Sequence, residues 1–206
     1  IKDSDTYFLV WTTTPWTLMA NVALCVNPDL EYIKVSSMGY KFIVAKSLAN
    51  KVLGDDFEVL ETYKGTDLVG TNYERLMPFA EVEGKCFEVV ADSYVTSEDG
   101  TGIVHIAPAY GDDDNRVCKE NGIGFVNPVG KDGCYTTGPW KGTLVTDKDL
   151  EIEIIKWLKE NDKLFKKIKL THDYPHCWRC HSPLIYYSKP AWYIRTTEYK
   201  DKILEA

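Results

Sequence analysis

Three adjacent hydroxyl side chains, Thr12, Thr13 and Thr14, are followed by Pro15, Trp16 and Thr17. Such a string sets uncharged donors and acceptors at the mouth of a turn, beside a large flat ring. A second segment, residues 101–114, reads Thr-Gly-Ile-Val-His-Ile-Ala-Pro-Ala-Tyr-Gly-Asp-Asp-Asp. It offers His105, whose imidazole titrates near neutral pH and suits general acid–base work. It also offers Asp114, nine positions further on. At that separation the end of a strand and the start of the next helix can face one cavity. Burying a carboxylate there is offset by a cationic ligand. No Ser or Cys stands in a nucleophile elbow, and no Ser-His-Asp order is evident. These residues favour direct attack by water over a covalent enzyme intermediate.

The elements that must hold these side chains are legible in outline. Thr6–Thr12 is β-branched and aromatic and predicts a buried strand. Thr14 can cap the turn that follows, with Pro15 at the first helical position, where a missing N–H costs nothing. Val22–Val26 predicts a strand closed by Asn27-Pro28-Asp29, and Met38-Gly39 a hairpin between Glu31–Ser37 and Tyr40–Lys46. Ser47–Leu53 reads as a short helix ending at Gly54. Phe57–Tyr63 and Cys86–Val90 read as strands, with Gly65 and Gly70 as punctuation. Thr101–Ala107 is a strand whose glycines permit close backbone approach. Asp112–Asn121 predicts a helix with acids at its start, one of them as the cap, and Gly122 past its end. Thr146–Asn161 predicts another, with Thr146 and Asp149 as a capping box and Leu150, Ile154, Ile155 and Leu158 at helical spacing. Many strands and few helices indicate an α+β domain built on a folded-over, barrel-like sheet with peripheral helices. Residues 1–170 form that domain, and residues 171–206 a small appendage.

Composition narrows the classes. The 206 residues, 44% hydrophobic, fit one globular domain with such an appendage. No apolar run reaches membrane-spanning length, and Ile1-Lys2-Asp3-Ser4-Asp5 is too polar for a signal peptide. The chain starts without Met, as a piece of a longer protein would. Most of its six cysteines are scattered singly, and a chain this long needs no disulfide staples, so free thiols in a reducing cytoplasm are expected. Net charge is −7, yet residues 156–195 carry nine Lys/Arg against three Asp/Glu. That stretch reads either as an RNA contact or as a solvated lysine-rich segment. Cys177-Trp178-Arg179-Cys180 is half of a zinc ribbon by spacing. His172, His176 and His181 stand nearby, but ligands so tightly clustered in sequence rarely close a tetrahedral site alone.

Together, the Thr-Thr-Thr-Pro-Trp-Thr string and the His105–Asp114 segment resemble the editing domain of isoleucyl-tRNA synthetases over essentially the whole chain. The resemblance implies a site that hydrolyses valine from mischarged isoleucine tRNA, with water attacking and the ribose hydroxyl of the tRNA end assisting. It implies that Thr12, Thr13 and Thr14 hydrogen-bond the amino acid and terminal adenosine, and that Trp16 packs on the substrate. Asn21 falls where the family has a pocket asparagine. Asp114 takes the role of anchor for the α-ammonium group, and His105 that of a wall whose bulk rejects isoleucine, with general base as the other reading. Valyl and leucyl editing domains carry arginine at the position of Thr14, lack the Trp of Pro15-Trp16, and place no His at the position of His105. Met19-Ala20 and Asn115 depart from the usual pattern and bear on pocket shape. In bacterial relatives a pair like Cys177 and Cys180 is completed as a zinc site by cysteines upstream, outside this chain. Editing itself is expected to need no cofactor, ATP being used only by a catalytic domain absent here. The expected partner is isoleucine tRNA carrying valine, the expected state a monomer, and no membrane is involved. Two alternatives stay open: a non-catalytic tRNA-positioning or zinc-ribbon module, and a valyl- or leucyl-type editing domain. The first requires the threonines to be purely structural.

Overall fold

A computed structural model describes residues 1–169 and 174–205. It contains two small sheets. The first runs in the order β1-β4-β3-β5, with β1 Thr6–Phe8, β3 Glu31–Ser37, β4 Tyr40–Ala45 and β5 Glu58–Lys64. The second runs β6-β2-β7, with β2 Ala23–Val26, β6 Glu88–Ala91 and β7 Ile103–Ile106. The β3–β4 hairpin turns at Met38 and Gly39, both with positive φ, as a two-residue turn matched to strand twist requires.

The sheets are joined by the chain that leaves β1. Leu9 N–H still donates to Ile43 O of the first sheet at 3.1 Å, whereas Trp11 N–H donates to Ile103 O of the second at 3.2 Å. The folded-over sheet therefore takes the form of two sheets stitched at one corner. This crossing also shortens the strand expected over Thr6–Thr12: only Thr6–Phe8 stays in the ladder. Thr6 is buried whereas Tyr7 is 44% exposed, so β1, an edge strand, turns one face to the core and the other to solvent and is not buried throughout.

Further ties brace the corner. Ala45 N–H donates to Thr101 O at 3.0 Å, and the buried Tyr32 hydroxyl donates to Gly102 O at 2.7 Å. Gly102 is required there. Its φ is +73°, and an added Cβ would lie 2.4 Å from the Ala45 Cβ. Gly102→Ala is expected to destabilise the protein by roughly 1–3 kcal/mol through strain and overpacking. A urea-unfolding midpoint equal to that of the parent would contradict this.

Four α-helices bear on the core and the site: α1 Ala49–Leu53, α2 Gly65–Leu68, α3 Asp112–Asn121 and α4 Lys148–Glu160. The α4 cap is Asp147, whose carboxylate accepts from Asp149 N–H at 2.9 Å, in place of the expected Thr146. The cap of α3 is Gly111, so Asp112, Asp113 and Asp114 fill its first turn and none of them is the cap. Leu150, Ile154 and Leu158 bury one face of α4 in the main core, against the short 3-10 helix Pro15–Ala20. That helix follows the threonine string, so α4 supports the site from behind. Among the described residues no helix is long and apolar enough to cross a membrane.

Candidate active site

The threonine string bends because its own side chains compete with the backbone. Thr12 Oγ1 accepts from Thr14 N–H at 3.1 Å, a local turn just after the chain has crossed between the sheets at Trp11. Pro15 then opens the 3-10 helix with its φ preset. Three residues per turn place Thr14 and Thr17 one above the other. Thr17 donates its hydroxyl to Thr14 O at 2.8 Å, and the Thr14 Oγ1 lies 3.2 Å from it. Thr14 itself makes no side-chain cap bond.

From the second sheet, β7 pairs antiparallel with β2, setting His105 opposite Leu24. The His105 Nε2 lies 2.9 Å from Thr17 Oγ1, and its Nδ1 has no partner among the described residues. Burial pushes the imidazole pKa down to about 4. The ring is therefore neutral near pH 7. Asp114, the third residue of α3, folds back so that Oδ2 accepts from Ala107 N–H at 2.8 Å. Gly111 makes room for it, since a Cβ there would meet the Asp114 Cγ at 2.9 Å. Asn115 Nδ2 donates to Pro108 O at 2.9 Å and steadies the loop between β7 and α3. Burial raises the Asp114 pKa above the usual carboxylate value, opposed by the Ala107 bond and reinforced by Asp113.

These groups share one cavity of about 270 Å³, lined by Thr12, Thr13, Thr14, Thr17, His105 and Asp114, with Trp11, Val104, Ala107, Tyr110 and Gly111 completing the walls. Its size lies just below the usual range for small-ligand sites, about 300–1,000 Å³, and suits an amino-acid-sized group. Asp114 is the one charged side chain in the lining, and no Lys or Arg faces it. The cavity accordingly favours a cation over an anion. Thr13 is exposed, at the solvent side. A second depression of about 240 Å³, between Thr196 and Leu204, has Lys200 as its one charged side chain and presents no comparable set of groups.

Two sequence candidates stand elsewhere. Trp16 does not line the cavity; its ring packs edge-on against Tyr110 at 4.8 Å, behind the wall. Asn21 is buried, donating to Ala23 O at 2.9 Å and accepting from the Tyr73 hydroxyl at 2.6 Å. Conversely, Thr17 and Tyr110 are lining residues that motif reading does not single out. The 3-residue interval between Thr14 and Thr17 is the signal that marks Thr17, because a 3-10 turn stacks positions i and i+3.

Relatives place the chain. Isoleucine–tRNA ligase of Clostridium novyi (strain NT) is 47% identical over 205 residues, covering 98% of this chain and 20% of that protein. The Bacillus thuringiensis (strain Al Hakam) isoleucine–tRNA ligase is 49% identical over 208 residues, covering 100% of this chain and 20% of the relative. This chain belongs to the isoleucyl-tRNA synthetase family. It spans about one fifth of the length of the curated relatives it matches. No family model matches the chain. Its fold is that of an editing domain. The crystal structure of GlLeuRS-CP1 superposes with a TM-score of 0.65 at 16% identity, covering 84% of this chain and 86% of that one. The Plasmodium knowlesi cytosolic leucyl-tRNA synthetase editing domain superposes at 0.57 with 14% identity, covering 76% and 82%. The leucyl domains share the architecture, but the isoleucyl assignment rests on the sequence relatives.

In this isoleucyl-tRNA synthetase segment all six cysteines are free thiols. Cys177 and Cys180 sit on one tight turn, with His181 N–H donating to Cys177 O at 2.8 Å and Cys177 N–H to Ser182 O at 2.9 Å. The Cys180 Sγ lies 2.8 Å from the Ser182 Oγ. A hydrogen bond with that hydroxyl, with a further one to the Cys177 thiol, lowers the Cys180 pKa to about 7. Two thiols three positions apart on one tight turn fit half of a tetrahedral metal site. Among the described residues no group of three or more His, Cys, Asp or Glu could hold an ion. His176 instead has its Nδ1 2.8 Å from Tyr174 O. His172, and the expected boundary between residues 170 and 171, lie outside the described residues. Residues 185–188 return to the body: Ser188 N–H donates to Ala109 O at 2.8 Å and the Tyr187 hydroxyl to Val129 O at 3.1 Å.

Burial of neutral His105 has a pH signature. Its folded pKa, about 4, lies below the unfolded value of about 6.5. The neutral form is therefore the one the fold favours. Its stability contribution is present above about pH 6.5 and drains away as pH falls toward 4, with an upper bound on the order of 3 kcal/mol. Asp114 has the opposite sign, because its raised pKa makes ionisation costly as pH rises. His105→Gln is expected to flatten the acid limb of a plot of unfolding midpoint against pH. Parallel limbs for parent and variant would contradict the assignment.

Proposed function

We propose that this chain is the proofreading hydrolase of an isoleucyl-tRNA synthetase. Its substrate is isoleucine tRNA whose 3′ end carries valine, and its reaction is ester hydrolysis by a positioned water. The observation that carries this reading is the meeting of Thr12, Thr13, Thr14, His105 and Asp114 around one amino-acid-sized cavity. The free amino group of an aminoacyl ester is a cation, and Asp114 is the one charge in the lining. The threonine hydroxyls supply donors and acceptors for the ester, a water and the terminal ribose. With no thiol or serine in the lining, attack by water, assisted by the neighbouring ribose hydroxyl, avoids an acyl-enzyme.

His105 serves as wall rather than base. An imidazole with pKa about 4 is poorly matched to proton abstraction at neutral pH. Its Nε2 is engaged by Thr17, and its Nδ1 is shut away from solvent. Trp16 acts through Tyr110 and Asn21 through the β2 backbone, both as supports.

The chain works in the cytoplasm as a monomer. ATP-dependent charging belongs to other parts of the longer protein, and the hydrolytic pocket uses no cofactor. Residues 1–170 form the editing body, and residues 171–206 the half-ribbon and return segment. Cys177 and Cys180 would hold a structural zinc with two ligands from outside this chain.

The test is deacylation of isoleucine tRNA charged in parallel with valine and with isoleucine. Release of valine at a rate at least about ten-fold above that of isoleucine supports the proposal, the scale set by one methylene in a fitted pocket. Equal rates, or none for valine, would sink it.

A further inference from the structure

A strap of hydrogen bonds ties the return segment to the pocket wall. The loop between β7 and α3, residues 107–111, supplies Ala107, Tyr110 and Gly111 to the lining. Three consecutive residues of that loop are held from outside it. Ala107 N–H donates to Asp114 Oδ2, Pro108 O accepts from Asn115 Nδ2, and Ala109 O accepts from Ser188 N–H at 2.8 Å. The first two ties come from the adjoining helix α3, the third from a segment far along the chain. That segment alternates as a strand does: Ile185 and Tyr187 pack on the main core, whereas Tyr186 is 74% exposed. The Tyr187 hydroxyl donates to Val129 O at 3.1 Å, Val129 N–H to Asn127 Oδ1 at 3.2 Å, and the Tyr110 hydroxyl to the same Oδ1 at 2.9 Å. With the Ser188–Ala109 bond these close a ring through Tyr110. The return segment thus braces that pocket residue at its backbone and, through Val129 and Asn127, at its hydroxyl.

We propose that Tyr187 and Ser188 are positioning residues for the hydrolysis, strapping the 107–111 loop so that Tyr110 and the Ala107 N–H that holds Asp114 keep their places. This deepens the editing reading above and rests on it. Neither residue lines the cavity, so each acts through the loop. The ties from α3 start on the helix that carries Asp114, so loop and helix could drift together under them. The strap fixes the loop against the body instead. Loops lie at the low end of local stability, and a small displacement of a positioning group is costly in rate.

Two measurements decide this, and they fail separately. The first is amide hydrogen exchange, read by NMR. Ser188→Pro removes the N–H that Ala109 accepts from, and Tyr187→Phe removes the hydroxyl while keeping the ring. Each should speed exchange of the Ala107 and Tyr110 N–H groups by about ten-fold, the scale of one hydrogen bond. Ser188→Ala keeps the N–H and should exchange as the parent does. The Val22 N–H, which donates to Ile106 O in the second sheet, should keep its parent rate in every variant. Unaltered loop exchange in both Ser188→Pro and Tyr187→Phe, or Val22 speeded as much as the loop, overturns the strap even if the editing reading stands. The second is the kinetics of valine release from mischarged isoleucine tRNA. Ser188→Pro and Tyr187→Phe should lower kcat by about ten-fold and leave KM within about two-fold, because the loop holds the reacting end of the tRNA and not its body. A kcat within about two-fold of the parent in both variants overturns the proposal, whatever happens to KM. Should Ser188→Pro fail to fold, Tyr187→Phe carries both measurements alone. A parent that releases no valine sinks the editing reading instead, and the exchange result then decides whether the return segment holds the loop.

Discussion

Asp114→Asn is expected to slow release of valine from mischarged isoleucine tRNA by roughly ten- to a hundred-fold. The carboxylate is the one charge in the cavity. Its Oδ2 is occupied by Ala107 N–H, so Oδ1 is the oxygen available to an ammonium group. A hydrogen bond to a charged group contributes about 1.5–3 kcal/mol, and about 1.4 kcal/mol is ten-fold in rate. Asn is the informative replacement. Its amide oxygen can still accept from Ala107, whereas Ala would strand a backbone donor beside the pocket and confuse lost chemistry with lost structure. Because burial raises the Asp114 pKa, ionised Asp114 is held at a cost to the fold. The variant should therefore melt no lower than the parent while losing the activity. Undiminished valine release by Asp114→Asn would remove the anchor from the mechanism.

The second large effect runs in the opposite direction. Shortening His105 to Ala should create an activity, hydrolysis of correctly charged isoleucyl-tRNA. Discrimination against the larger amino acid should fall by about 1–3 kcal/mol, or up to a hundred-fold or so, the general scale for one methylene, for which this family's choice between isoleucine and valine is the standard example. Valine release should be largely kept. A base would behave otherwise: its loss typically slows the reaction about 10²–10⁴-fold with no change in selectivity. Rates on both charged tRNAs, for parent and variant, separate the two outcomes. Loss of valine release with no gain on isoleucine would restore the base.

Much of the scaffold was written locally. The Met38-Gly39 hairpin, the helix Asp112–Asn121 ended by a left-handed Gly122, and the Leu150-Ile154-Leu158 face of α4 each depend on residues a few positions apart. The structure departs from local expectation at element ends, where competing groups differ by one hydrogen bond. Asp147 outcompeted Thr146 for its cap because its carboxylate reaches Asp149 N–H, and Gly111 precedes the acids since only it tolerates Asp114 folding back. The strand expected over Thr6–Thr12 was cut short by a tertiary event, the transfer of Trp11 from one sheet to the other.

The sequence by itself determined the family and the inventory of hydroxyls, imidazole and carboxylate, whereas the fold is shared with leucyl domains. Those are matters of residue type and local spacing. Only the tertiary structure decided which of these side chains meet. It turned Trp16 onto Tyr110 and Asn21 onto Tyr73, away from the cavity, and brought Thr17 within reach of His105. The physical reason is that side-chain direction depends on whether a turn winds with three residues or 3.6, and on which distant strand it packs against. A hydrogen bond between residues 17 and 105 leaves no periodic trace in the chain that makes it.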